Sequence, residues 1–279
     1  MDLGCLSPQR LHATYAGIAQ AMHADSVPVL LWGTAPAHLC LGQSQSASRE
    51  LAPQLAVPVV RRPLGGGAVW VDEGQFVYVL IAPLRLAPRR PADWGAWALQ
   101  PAIATFRHFG LDVERHGEDL WLYDRKIAGT GSATIGRAAV YASSFLMHFP
   151  HERFASCIAG SQEFRAWLSA GLRATLTDWA SHAPVPVAIK LQEVFIRRVE
   201  QDLAWHLRSS RVTANERSAI EEALLELRDD DVWDSGQRVH RDGLKLNADS
   251  HLVERDECGR RVRELVVRGK VARRAVVTI

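Results

Sequence analysis

Three consecutive glycines separate two short β-prone runs, in the order VPVVRR (57–62), Pro63-Leu64, Gly65-Gly66-Gly67 and Ala68-Val69-Trp70-Val71. A glycine inside a strand connection weakens the sheet by roughly 0.5–1 kcal/mol relative to alanine. Three in a row therefore argue for a use beyond turning the chain. Stripping away side chains lets backbone N–H groups approach a ligand closely. The neighbouring pair Arg61-Arg62 adds guanidinium donors suited to phosphate or carboxylate. Together they fit an anionic ligand with an apolar tail. No GK[ST] follows, so the segment is not a P-loop, and the next element is a strand rather than a helix, which excludes a dinucleotide fingerprint. The plainer alternative is a tight turn with solvated arginines.

A second unit runs from Asp119 to Gly131, DLWLYDRKIAGTG. Of the 33 basic residues only Lys126, Lys190, Lys245 and Lys270 are lysines. The chain uses arginine wherever a plain positive charge suffices, so a retained lysine is a candidate for work that a guanidinium cannot do. Asp119 opens an apolar strand and Lys126 begins the next, followed by Gly129-Thr130-Gly131. On paired strands the two side chains could face one cavity. There the lysine would neutralise an α-phosphate and the carboxylate oxygen attacking it, while Asp119 held Mg²⁺. The alternative is an ordinary hairpin with an exposed turn lysine.

Around these units the pattern alternates. Gln9 to about His23 has helical spacing, 27–32 and 38–42 read as strands, and GGGAVWV passes through Asp72–Gln75 into FVYVLIAP as a β-hairpin. Trp94 to Phe109 reads as one helix ending at Gly110. Residues 119–149 read as two or three strands, 154–172 as partly helical and Leu191–Leu207 as a helix. Thr213 and Glu216 form a capping box that opens a helix to about Leu227. From Val239 the tail contains two β-rich pieces, with a hairpin through Asp256–Arg261 and a turn at Gly269-Lys270. The length of 279 residues suits one large domain, 1–210, and a small accessory domain, 211–279. A net charge of +2 gives no field that points to nucleic acid or an anionic membrane. No apolar run approaches the ~20 residues of a membrane helix, and the expected location is cytoplasmic. The four scattered cysteines form no CxxC pair, so zinc and a disulfide framework are not expected.

Taken together, the motifs resemble the lipoate–protein ligase A family within the biotin/lipoate ligase superfamily. The family pattern RRxSGGGAVFHDxGN is met by RRPLGGGAVWVDEGQ (61–75), ND…K(I/V)xGxA by EDLWLYDRKIAGTG (118–131), and HGxLL by YASSFL (141–146). The upstream LWGTAPAHLCLGQSQ (31–45) and GLRATLTDW (171–179) add to the likeness, which covers roughly 8–210. It implies an α+β fold: a mixed, largely antiparallel sheet flanked by helices, like class II aminoacyl-tRNA synthetases, with a small C-terminal α+β domain. It also implies an ATP-dependent ligase that converts lipoate or octanoate to an acyl-AMP and passes the acyl group to a lysine of a lipoyl carrier protein. Lys126 matches the essential lysine. Arg61, Arg62, Gly65, Gly66, Gly67, Ala68, Gly129, Gly131 and Ala142 match positions along the acyl-adenylate. Glu118 and Asp119 match the nucleotide side, with Asp119 as the Mg²⁺ ligand.

This chain departs from the pattern at Leu64 (usually Ser), Val71 (His), Gln75 (Asn), Glu118 (Asn) and Ala142 (His). Losing two imidazoles would enlarge or dry the pocket. Two rival readings stand beside the ligase. One is an ATP-independent octanoyl or lipoyl transferase using a cysteine thioester, for which Cys157 is the downstream candidate. The other is a non-catalytic acyl- or adenylate-binding homologue. The GRGRxGR-type loop of biotin ligases is absent.

Overall fold

The computed structural model of the chain describes residues 1–229, 244–247 and 249–278. The start of the tail, from Val239 to Gly243, and Ala248 lie outside the described residues. Strand β1 (Asp2–Cys5) leads to α1 (Pro8–Gln20), opened by Pro8 in its first turn, where a missing N–H is harmless. Then come β2 (Val29–Thr34), β3 (His38–Leu41), a single turn α2 (Ala47–Glu50), β4 (Val59–Arg61), β5 (Val69–Val71) and β6 (Gln75–Pro83). Next, α3 (Trp94–Ala98) and α4 (Gln100–His108) replace the single helix expected over 94–109. Pro101 has no N–H, and its ring would strike the carbonyl four residues earlier, so a continuous helix cannot pass it. Four strands follow, β7 (Val113–His116), β8 (Asp119–Leu122), β9 (Arg125–Ala128) and β10 (Thr130–Ile135), and then β11 (Ala138–Leu146). Helices α5 (His151–Ser156), α6 (Gln162–Thr175), α7 (Ala188–Leu203) and α8 (Ala214–Asp229) precede the tail strands β12 (Leu244–Asn247), β13 (Ser250–Glu257), β14 (Arg260–Val267) and β15 (Lys270–Thr278).

The strands form four sheets: β1-β2-β6-β11-β10, β4-β3-β5, β7-β8-β9 and β12-β13-β14-β15. Only β1 with β2 and β3 with β4 run parallel among these pairs. The expected hairpin between β5 and β6 does not form, because the two strands belong to different sheets. Asp72 redirects the chain. Its carboxylate accepts the Gly74 N–H at 2.9 Å and the Trp70 indole N–H at 2.6 Å, and its carbonyl accepts the Gln75 N–H at 3.2 Å.

The pleat of the five-stranded sheet sends alternate residues to two cores. Trp32, Tyr78, Leu80, Tyr141 and Phe145 meet α3, α4 and α7, together with Phe106, Trp179 and Phe195. Leu31, Val79, Ile81 and Val140 meet α1 and α8. Each fully buried large apolar side chain contributes about 1.5–3 kcal/mol. The capping box is present: the Thr213 N–H donates to Glu216 at 2.7 Å and the Glu216 N–H to Thr213 Oγ1 at 3.2 Å. The helix it opens lies so close to α1 that a Cβ on Gly17 would stand 2.4 Å from the Ile220 nitrogen. A third core joins Leu39, Leu41 and Trp70 to α5, α6 and the tail leucines Leu246, Leu252 and Leu265. The tail hairpins turn at Cys258-Gly259 and Arg268-Gly269, all four at positive φ.

Candidate functional site

The triglycine loop is shaped from behind by Arg62. This side chain is buried, and its guanidinium donates to the carbonyls of Cys40 at 3.0 Å, Gly65 at 2.7 Å and Gly67 at 2.9 Å. Arg61 donates to the carbonyls of Gln43 and Gln45. The sequence suggests that this pair offers its donors to a ligand; in the structure the Arg62 fork is turned into the protein, where it holds backbone. The consequence lies on the other side of the loop. In a trans peptide the N–H points opposite to the C=O. With the Gly65 and Gly67 carbonyls turned to Arg62, the N–H groups of Gly66 and Ala68 turn away from it. A Cβ on Gly65 or Gly67 would meet nothing within 4 Å, so the loop is open at those two residues. Gly66, at φ +98°, needs glycine for its backbone, and its carbonyl approaches Gly42 so closely that a Cβ there would stand 2.0 Å away.

The second unit brings its predicted pair together. Lys126 Nζ lies 2.9 Å from Asp119 Oδ1, and the two side chains keep 18% and 10% of their exposure. The other three lysines are exposed. Lys126 is paired with Trp121 across a bulged β8–β9 ladder, and its carbonyl accepts the Thr177 N–H at 2.8 Å. The ammonium lies over Gly129: a Cβ there would stand 2.9 Å from Nζ and 3.0 Å from Cε. The glycine is thus required by the lysine and not by its own backbone angles.

The two units meet. A Cβ on Gly131 would lie 3.4 Å from Leu64 Cβ and 3.5 Å from the Gly65 carbonyl, and one on Gly66 would lie 3.9 Å from the Thr130 carbonyl. Ala142 is the register partner of Gly131 on β11 and packs into the core that contains Leu64 and Val79. Glu118 is exposed; its carboxylate accepts the Tyr141 hydroxyl at 3.3 Å and lies against Gly95.

Two polar groups were missed by the sequence reading. Thr130 Oγ1 donates to the Glu118 carbonyl at 2.6 Å, and Ser143 Oγ donates to the Gly129 carbonyl at 2.8 Å. Behind the loop, His12 Nε2 and His38 Nε2 lie 3.3 Å apart, with Tyr15 and Pro36 at the two ends of the network. Burial pushes these imidazoles down, to about 3 for His12 and about 4 for His38. His38 is the register partner of Val71. Alternation on β11 and hydroxyl chemistry were the signals for the first group; nothing local marked the second.

Among the described residues no group of three or more His, Cys, Asp or Glu could hold a metal ion. Mg²⁺ is commonly held by one or two carboxylates plus substrate phosphates, and Asp119 fits that lesser role. Two concavities of about 350 and 450 Å³ lie elsewhere, one between α4 and α7, the other between Trp121, α6 and the tail sheet. Cys157 is buried in the third core, and burial raises its thiol above the ordinary value. No described helix is long and apolar enough to cross a membrane.

Residues 13–202 match the lipoyl protein ligase A/B catalytic domain family, and the chain belongs to that family. Its fold is that of solved lipoate ligases. The bi-partite lipoate protein ligase of Thermoplasma acidophilum, described with its E2 lipoyl domain, aligns with TM-score 0.76 at 18% identity, over 85% of this chain and 97% of that one. A lipoate-protein ligase A bound with ATP aligns with TM-score 0.70 at 17% identity, over 84% and 98%. LipL1 of P. falciparum in complex with lipoate aligns with TM-score 0.61 at 13% identity, over 100% and 85%. Compared by sequence with curated proteins, the chain matches none.

Proposed function

We propose that the chain is an ATP-dependent lipoate–protein ligase acting on a lysine of a lipoyl carrier domain. The observation that carries this reading is the ammonium of Lys126, held by Asp119 above Gly129, on the strand connection whose next residues, Thr130 and Gly131, meet the triglycine loop. A free carboxylate is a poor acyl donor. In the first step its oxygen attacks the α-phosphorus of ATP; the bond to pyrophosphate breaks and pyrophosphate leaves with the electron pair. Lys126 lies where it offsets the charge of that oxygen and of the phosphoryl group. The N–H groups of Gly66 and Ala68 offer donors to the anion. Mg²⁺ bound by Asp119 and the phosphates would screen the polyphosphate charge. In the second step the carrier's amine attacks the acyl carbon, the C–O bond to phosphate breaks, AMP departs with that pair, and the nitrogen loses its proton to solvent. Residues 1–210 are assigned this chemistry and 211–279 an accessory role, in a protein of the cytoplasm.

Cys157, the thiol of the transferase alternative, sits in apolar surroundings that keep it protonated, which disfavours that reading. The test is incubation with lipoate, ATP-Mg and a panel of lipoyl domains, following carrier mass and pyrophosphate. The ligase gives both signals, loses them in Lys126→Ala and keeps them in Cys157→Ala. ATP-independent transfer lost in Cys157→Ala establishes the transferase instead, and lipoate binding without product establishes the non-catalytic homologue.

A further inference from the structure

We propose that the hydroxyls of Ser143 and Thr130 are positioning groups for the Lys126–Asp119 pair; this rests on the reading of that pair as the adenylate-forming site. The need for such groups comes from the topology. Gly129 is the single residue between β9, in the three-stranded sheet, and β10, in the five-stranded sheet. Glu118 occupies the turn between β7 and β8. Neither residue belongs to a strand, so the strand ladders do not hold its carbonyl in place. Yet Gly129 is the floor beneath the Lys126 ammonium, and Glu118 immediately precedes Asp119.

The two hydroxyls fill this gap. Thr130 and Ser143 are register partners on β10 and β11, so their side chains emerge side by side on one face of the five-stranded sheet. From there Ser143 holds the Gly129 carbonyl at 2.8 Å and Thr130 holds the Glu118 carbonyl at 2.6 Å. Tyr141, two residues before Ser143 on the same face, adds its hydroxyl to the Glu118 carboxylate. One rigid strand pair thereby fixes both members of an ion pair that belongs to another sheet. Neither hydroxyl touches Lys126 or Asp119; each acts through the backbone. A misplacement of about 1 Å at a reacting group can lower a rate by roughly 100-fold, so the clamp bears on turnover more than on binding.

The experiment measures lipoate- and ATP-dependent pyrophosphate release in the full chain for Ser143→Ala, Ser143→Thr, Thr130→Val and Thr130→Ser. Ser143→Ala and Thr130→Val are expected to lower kcat about 10-fold or more while KM for lipoate and ATP stays within about twofold. Ser143→Thr and Thr130→Ser, which keep the hydroxyl, restore at least half the rate. In a Lys126→Arg background, which keeps a measurable rate, Ser143→Ala produces no further loss. Equal kcat in Ser143→Ala and the unaltered protein overturns the clamp and leaves the ligase reading intact. So does a loss that the hydroxyl-keeping variants share, or a loss that appears in KM. Absence of pyrophosphate release from the unaltered protein, with every lipoyl domain tried, overturns the ligase reading and the clamp with it.

Discussion

Acid should unlatch the region behind the triglycine loop, through His12 and His38. Their hydrogen bonds leave one consistent arrangement of protons. The Pro36 carbonyl can only accept, so His38 carries its proton on Nδ1, and its Nε2 accepts. His12 must then donate from Nε2, 3.3 Å away, which leaves its Nδ1 to accept from the Tyr15 hydroxyl at 3.1 Å. Every position is filled by a neutral ring. One more proton would put a charge in a buried space next to the Arg62 guanidinium, and a second would set two N–H groups against each other. Cys40 stands nearby, and Asp72 and Glu73, which favour the charged form of His38, do not offset its burial. The folded values, about 3 and about 4, lie below the ordinary 6.5.

The sign follows from proton counting. The unfolded chain takes up both protons as pH falls through about 6.5, while the folded chain refuses them. The stabilisation is whole above that point and is lost as pH falls toward the folded values. Each ring contributes a slope approaching about 1.4 kcal/mol per pH unit, so the pair removes about 4 kcal/mol between pH 7 and pH 5. That is a large share of a typical folding stability of about 5–15 kcal/mol. The assay is urea unfolding at several pH values for the unaltered protein and for His12→Gln, which removes one titrating ring. The variant should be less stable at pH 7, but its loss between pH 7 and pH 5 should be smaller by about 2 kcal/mol. If the two proteins lose stability in parallel over that range, the ring at position 12 takes up its proton alike in both states and the reasoning fails.

Four further outcomes can be checked. Lys126→Arg should lose activity about 100-fold or more although charge is kept, because the planar fork does not fit the place over Gly129; pyrophosphate release reads this. Gly129→Ala should lower the same rate at least ~10-fold with a stability change within about 1 kcal/mol, since the clashing atoms are the far end of a flexible side chain. Arg62→Lys should destabilise by about 2–4 kcal/mol in urea unfolding, because an ammonium cannot span the three carbonyls that the guanidinium holds. Tyr78→Phe should change stability by no more than about 1 kcal/mol, because the buried Tyr78 hydroxyl lies near Ser143 without forming a hydrogen bond of good geometry.

What was legible in the sequence is what short-range chemistry determines. The capping box at Thr213 and Glu216 spans three residues, and both its bonds are present. The pairing of Asp119 with Lys126 was readable from two apolar runs joined by a short turn. The separation of β5 from β6 was not, because the Asp72 turn resembles a hairpin turn until a second sheet competes for Gln75–Pro83. Nor was the orientation of Arg62 readable, since whether a guanidinium faces a ligand or its own backbone depends on Cys40, distant in sequence and adjacent only in the fold. The histidine pair is separated by 26 positions and the Ser143 contact by 14. Such pairings carry no local periodicity.

The glycines explain why the charges are arranged as they are. An arginine placed directly against an anionic ligand would bring a flexible side chain whose ordering opposes binding. Here Arg62 is ordered beforehand by three carbonyls, and its influence reaches the other side of the loop through the peptide groups it aligns. Under the proposed reading that arrangement works only where the loop carries no side chains to cover its amides, which would account for Gly65 and Gly67. It also requires the loop to lie tightly against its neighbour, which accounts for Gly66 facing Gly42. Behind it, two neutral imidazoles fill the space beside Val71 without adding a second buried charge that Arg62 would repel. Under the proposed reading the catalytic charge falls to Lys126, the one lysine withdrawn from solvent, because its ammonium is not locked to backbone as the Arg62 guanidinium is.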